Sequence, residues 1–416
     1  MSMFVRRNVT AAAPAALVAL VLLTAGCAGG RPDPAAAKPG SATSAPEHGY
    51  VEGARETAEQ QSRLLLNDPA TGDTRVLDLI TGKAHEVPPA KGTAELTTDG
   101  RFGYFHTAAG TRVLDAGAWT VDHGDHVHYY RAAIRDVGRI PAGTGARVRS
   151  DAVMTAVTGA DGRAVTYRRT ELEKGRVGAS RTLPGTRAGA VVPYAGHLLG
   201  LTGDGQGAAA RLAVHDRAGG RSTAPHATCE DPMGDAVTRR GVVFGCADGA
   251  LLVGDDDGRL TAERIPYDGD VPAEERARSF RHRAGSDTLT APAGDRAVWV
   301  LDVAERTWTR VETGPVVAAN TAGEGSALLV LETDGALHGY DVATGRRIAR
   351  TEPLLAGEQR PATGGRGPVI EVDRSRAYVN DPEGRRVYEI DYNDGLRVVR
   401  TFALDVKPEL MAETGR

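Results

Sequence analysis

Only 3 cysteines occur in 416 residues, aromatic side chains make up 5%, and neither sign of charge dominates: 50 Lys and Arg against 54 Asp and Glu leave a formal net charge of -4. Each shortage narrows the field. Balanced charge provides no field to hold a nucleic-acid backbone, whose binding depends on Lys and Arg neutralising phosphates, so nucleic acid is not an expected partner. Cysteines without CxxC spacing or a nearby histidine pair do not make a thiolate metal site. The chain also lacks HExxH, GxSxG and P-loop motifs, and no enzymatic activity is expected. Asp255-Asp256-Asp257 lacks the alternating ligands and terminal Glu of an EF-hand loop and reads as a solvated hairpin tip. What is present is 52 Gly, with 41% hydrophobic and 25% charged residues. That excludes disorder for most of the chain and, with few aromatics, favours many short strands and frequent turns over helices packed by large side chains.

The N-terminus reads as an address. Arg6 and Arg7 precede an apolar run from Ala11 to Leu23 that closes with Leu23-Thr24-Ala25-Gly26-Cys27. This is the pattern of a secretory signal peptide, and the run is shorter than the ~20 residues needed to span a bilayer. Small residues ahead of a cysteine resemble the bacterial lipoprotein box, which implies removal of residues 1–26 and lipid on Cys27. Residues 27–59, which include Glu47 and His48, then read as a flexible tether. The mature protein is expected outside the cytoplasmic membrane, anchored to its outer face as a lipoprotein. In that oxidising location Cys229 and Cys246 have no competitor once Cys27 is lipidated, and a disulfide between them is expected.

From about residue 60, β-rich runs alternate with turn signals. Residues 63–68 pair naturally with 74–79, 327–331 with 337–342, and 376–380 with 387–391. The joint Asp78-Leu79-Ile80-Thr81-Gly82 recurs as Asp341-Val342-Ala343-Thr344-Gly345. Related units start near residues 63, 95, 150, 190, 235, 286, 325 and 367, a spacing of about 40–50 residues that matches a four-stranded propeller blade. No linker interrupts residues 60–405, which speaks against a row of sandwich domains. The expected fold is all-β: a single β-propeller over 60–405, seven-bladed with eight as the alternative, and a C-terminal tail at 406–416. Seven blades would follow if the first and last units shared one sheet, closing the ring by pairing the chain ends.

One segment carries chemistry. Trp119-Thr120-Val121-Asp122-His123-Gly124-Asp125-His126-Val127-His128-Tyr129-Tyr130 holds three of the 11 histidines within six positions. On an unbroken strand Asp122, His126, His128 and Tyr130 would share a face, and Gly124 permits a bend that brings in His123 or Asp125. Imidazoles with carboxylates suit zinc, although copper(II) and nickel also favour imidazole. Tyr129 and Tyr130 are expected to pack or to support ligands. His106, at the end of Phe102-Gly103-Tyr104-Phe105, is a further candidate ligand from a neighbouring strand. His85, His197, His215, His226, His282 and His338 have no partner nearby in sequence and read as surface or core residues.

The run His123-Gly124-Asp125-His126-Val127-His128-Tyr129-Tyr130, with Phe244-Gly245-Cys246-Ala247-Asp248-Gly249, resembles the AztD family of zinc metallochaperones. The resemblance implies an extracytoplasmic β-propeller that passes zinc to the solute-binding protein of a zinc ABC transporter. It also implies metal-site roles for His123, Asp125, His126 and His128 and a Cys229–Cys246 disulfide. Where the family would carry further histidines, this chain has Gly145-Ala146-Arg147-Val148, Ala188-Gly189-Ala190-Val191 and Met233-Gly234. The expected function is a lipid-anchored, zinc-binding propeller; the alternative is a propeller interaction scaffold without physiological metal, and a metal-dependent hydrolase is a more distant one.

Overall fold

The computed structural model describes residues 51–123, 126–203, 209–360 and 366–416. The signal segment, Cys27, the tether as far as residue 50 and Asp125 lie outside the described residues. The chain forms a β-propeller. Among the described residues, eight sheets follow one another in chain order, seven of four antiparallel strands and one of three. Their first units begin at Arg63, Glu95, Arg147, Val192, Met233, Thr288, Val316 and Ile370, close to the eight starts read from the sequence. One short helix, Arg169–Glu173, and a 3-10 turn at Ala273–Glu275 are the helical elements described, and no described helix is long and apolar enough to cross a membrane.

The strand pairs anticipated from β-rich runs flanking turn signals are present: Arg63–Asn67 with Thr74–Asp78, Leu328–Glu332 with Leu337–Tyr340, and Ala377–Asp381 with Arg386–Asp391. The repeated joint has a repeated physical basis. Asp78 Oδ1 accepts from the backbone N–H and the hydroxyl of Thr81, each at 2.9 Å, and Asp341 Oδ1 accepts from the same two groups of Thr344 at 2.7 and 2.6 Å. Gly82 and Gly345 then take φ of 70° and 67°, a left-handed conformation that costs glycine nothing.

Second strands such as Arg63–Asn67, Phe102–Thr107 and Met154–Thr158 are buried along their whole length, because each sheet is covered by a neighbour on both faces. Outer strands such as Arg397–Ala403 are mostly exposed. The apolar clusters accordingly span neighbouring sheets. Leu64, Leu66 and Leu77 of the first sheet pack with Tyr378, Val387 and Phe402 of the last, which joins the two ends of the ring.

Two boundaries differ from the sequence reading. Residues 406–416 are not a tail: Leu410–Thr414 is a strand that pairs with Arg63–Asn67. It adds to the first sheet while the last unit keeps its own four strands, so closure consumes no unit. The expected tether ends earlier than residue 59, since Arg55–Thr57 is a strand on the outside of an additional three-stranded sheet. That sheet is an insertion: the hairpin Ala118–Asp122 and Val127–Arg131 leaves the second propeller sheet after Gly110–Asp115 and returns to it at Arg135–Ile140.

Cys229 and Cys246 form the expected disulfide, with Cα atoms 5.2 Å apart. It joins the last strand of one sheet to the second strand of the next. Closing a loop of this length restricts the unfolded chain by about 3 kcal/mol.

Candidate metal centre

The inserted hairpin is fixed at its base and open at its tip. Trp119 and Tyr130 stand opposite each other and stack at 5.4 Å, and the Arg101 guanidinium lies 3.7 Å over the Trp119 ring. Arg101 is itself held by buried Asp115 at 2.9 Å. A desolvated cation over an indole contributes about 1–2 kcal/mol, enough to set the angle at which the hairpin leaves the ring. Thr120 donates to the carbonyl of Gly415 at 2.8 Å, and Arg374 lies 3.7 Å from Asp122. The hairpin therefore rests on the closing strand and on the last sheet.

At the tip the strand does not run on. The chain turns, with the His123 N–H donating to the carbonyl of His126 at 2.9 Å, and His128 pairs with Val121 while Asp122 pairs with Val127. Directly opposed residues share a face, so His128 and Tyr130 do lie on one face, stacked at 6.2 Å, whereas Asp122 lies on the other. The turn brings His123 in where an unbroken strand would have separated it. Ring centroids of His123, His126 and His128 are 4.8, 4.9 and 5.3 Å apart, and one nitrogen from each lies within 4.8 Å of the others. Nitrogens bound to one tetrahedral ion at 2.0–2.1 Å sit about 3.3 Å apart. Small χ rotations at an exposed tip close that difference.

Glu56, which the sequence reading left in the tether, completes the arrangement. Its Oε1 lies 2.7 Å from His128 Nδ1. A carboxylate can only accept, so Nδ1 carries the proton and Nε2 is left with its lone pair available, the arrangement by which metal-bound histidines are oriented. The contact spans 72 positions in sequence, and no local pattern marks it.

His106 does not join this group. It is fully buried, with Nε2 2.9 Å from the Thr97 hydroxyl and Nδ1 2.8 Å from that of Thr111. Burial, then the charge of Arg149, pushes its pKa down to about 4. It is a neutral core histidine.

A second group was not foreseen. His338 has partners across its own hairpin turn: Nε2 lies 3.2 Å from both oxygens of Asp334 and 3.5 Å from Glu332. Burial raises the Asp334 carboxyl, but the Ala336 N–H, Arg350 and His338 outweigh it and hold the pKa below its ordinary value. Tyr340 donates to Glu332, and burial followed by that carboxylate pushes the phenol up to about 12.

Comparison with solved structures bears on the fold. Apo AztD from Citrobacter koseri superposes with a TM-score of 0.69 at 16% identity, covering 85% of this chain and 98% of that one. The fold is AztD-like. A second structure of Citrobacter koseri AztD gives 0.67 at 18% identity over the same shares of both chains. The dihydro-heme d1 dehydrogenase NirN in complex with DHE gives 0.53 at 14% identity, covering 87% of this chain and 77% of that one. No family model matches the chain, and no curated protein does.

Proposed function

We propose that this protein is an extracytoplasmic zinc-binding propeller that carries zinc on the tip of its inserted hairpin and hands it to the solute-binding protein of a zinc ABC transporter. His123, His126 and His128 are the ligands, and Glu56 orients His128. Lipid on Cys27 holds the protein to the outer face of the membrane, and the propeller performs no catalysis. The observation that carries this reading is the convergence of three imidazoles at an exposed tip with one ring oriented by a carboxylate. The AztD-like fold and the resemblance of the histidine segment support it.

Zinc is cargo here, and the donor set suits that role. Three neutral imidazoles match its preference for nitrogen. Their exposure leaves a side from which the ligands of an acceptor can approach and replace them one at a time, a step that a closed four-ligand site resists.

The test is zinc titration of the mature protein against a chromophoric chelator, beside the double variant His126→Ala/His128→Ala. The wild type is expected to compete for one zinc and the variant to lose at least 100-fold in affinity, with an unchanged melting temperature in chelator. Equal affinity in the two proteins would leave the scaffold reading.

A further inference from the structure

The closing strand Leu410–Thr414 lies at the edge of the first sheet, where it packs beside Ile370–Val372 of the last sheet and Glu95–Thr98 of the second. Leu410–Thr414 and Ile370–Val372 each bring a carboxylate to this seam. Glu413 is fully buried, and the Glu371 side chain is 5% exposed. Both depend on one nitrogen: Arg416 Nη1 stands 3.4 Å from Glu413 Oε2 and 3.4 Å from Glu371 Oε2. Glu371 has a further cation, Arg281 at 3.5 Å. Glu413 has none among the described residues, and its Oε1 is buried without a hydrogen-bond partner. A buried carboxylate accepts at both oxygens and is costly to leave short of donors, so one shared donor at this distance does not support the ionised form. The neutral acid carries no charge into the seam and is the favoured form.

The surrounding groups act in the same direction. Burial raises the Glu413 carboxyl, Arg416 opposes that, Asp373 and Glu371 add to it as like charges, and Ser62 pulls the other way; the carboxyl is pushed up to about 8. Asp373 follows Ile370–Val372 and accepts from the Tyr378 hydroxyl at 3.0 Å. Burial, then Asp373 and Glu413, push that phenol far up, so it stays neutral. His282 is pushed down to about 4 by burial and then by Arg416, and it adds no charge at neutral pH. Arg63, on the strand paired with the closing strand, donates to the Ala116 carbonyl and stands 3.8 Å from Asp78. Glu95–Thr98, on the other side, carries one titratable group, Glu95, again of the same sign as Glu413.

We propose that ring closure is a proton-held latch: as a neutral acid Glu413 lets Leu410–Thr414 seat between the first and last sheets, and release of its proton to solvent loosens the closing strand. Gly415, just beyond that strand, donates to the Gly100 carbonyl at 2.7 Å and accepts from Thr120 at 2.8 Å, so the base of the inserted hairpin loosens with it. The sign follows from the two states of the chain. The carboxyl ionises near 4.5 when unfolded and near 8 when folded. Between these values the folded chain keeps a proton that the unfolded chain has lost, so stability is full below the lower value and falls as pH rises toward the upper one. The latch stands independently of zinc.

Urea unfolding of the mature protein in chelator, stepped from pH 6.5 to 8.5 beside Glu413→Gln, tests it. The wild-type midpoint is expected to fall across this interval. That of Glu413→Gln, which keeps the shape without the charge, is expected to stay level and to exceed the wild type at pH 8.5. Amide protection of the closing strand is expected to drop by at least about 10-fold over the same interval in the wild type and to hold in the variant. A variant that follows the wild-type slope, or wild-type protection that does not change, overturns the proposal. So does a variant less stable than the wild type at pH 8.5, which would make Glu413 and Arg416 a stabilising ion pair. If Glu413→Gln does not fold, Glu371→Gln decides: with one like charge removed the wild-type fall is expected to shrink, and an unchanged fall overturns the latch.

Discussion

The hairpin tip with His123, His126 and His128 and the group Glu332, Asp334 and His338 each bring three potential ligand atoms within 4.8 Å of one another, yet their protons are arranged in opposite ways. His338 Nδ1 lies 3.5 Å from Arg347 Nη1. Arginine only donates, so Nδ1 accepts and Nε2 carries the proton, aimed at Asp334. A cation at Nε2 would have to expel that proton, turn the ring against Arg347 and displace Arg350 from Asp334, where it donates at 3.0 Å. At the tip Glu56 accepts the hydrogen bond from His128 Nδ1–H and leaves Nε2 free of a proton. Proximity of ligand atoms is common to both places; the partner of the other ring nitrogen leaves Nε2 open at the tip and occupied at His338.

The comparison can be sharpened by histidine substitutions that probe stability and affinity separately. The largest effect is expected from His106, the third arrangement, whose two nitrogens are both spent on threonines. Its folded pKa of about 4 lies below the unfolded value near 6.5, so the unfolded chain takes up the proton first as pH falls. Stability is therefore lost between about pH 6.5 and 4, by about 3 kcal/mol from this group, and His106→Asn should flatten that limb in urea titrations at stepped pH. His338→Ala is expected to cost about 2 kcal/mol by stripping Asp334 and Glu332 of a buried donor, without changing zinc stoichiometry. If His338→Ala lowers zinc affinity instead, the two groups have been assigned the wrong way round. Glu56→Gln should have the smallest effect, weakening zinc about 10-fold or somewhat more while leaving the melting temperature in chelator unchanged.

Much of this protein was legible in its residues because the signals are local. The β-rich runs at 63–67 and 74–78 mark strands, the Asp-x-x-Thr-Gly joint closes its turn through bonds made within five residues, and the recurrence of such units gave the eight starts. The histidine cluster was legible for the same reason. What escaped are contacts made across the ring. The strand at Arg55–Thr57 has no partner until Val127–Arg131 is folded, so Glu56 looks like any carboxylate in a polar lead-in. Leu410–Thr414 looks like a tail until Arg63–Asn67, about 350 positions earlier, lies beside it. Asp122 was placed on the wrong face because alternation assumes an extended chain, and the turn at His123 ended it. His106 was misjudged from its position beside the aromatic run, since nothing in sequence reveals that two threonines from flanking strands close on its ring.

The pairing of Leu410–Thr414 with Arg63–Asn67 has a bearing on biogenesis. The closing strand is synthesised after every other strand of the ring, and Gly415 just beyond it supports the histidine hairpin through Thr120. An incomplete chain exposes an unpaired edge at its first sheet, and pairings this distant in sequence form slowly. A chain that still lacks its final segment therefore keeps the ring unclosed and the histidine hairpin without its support from Gly415.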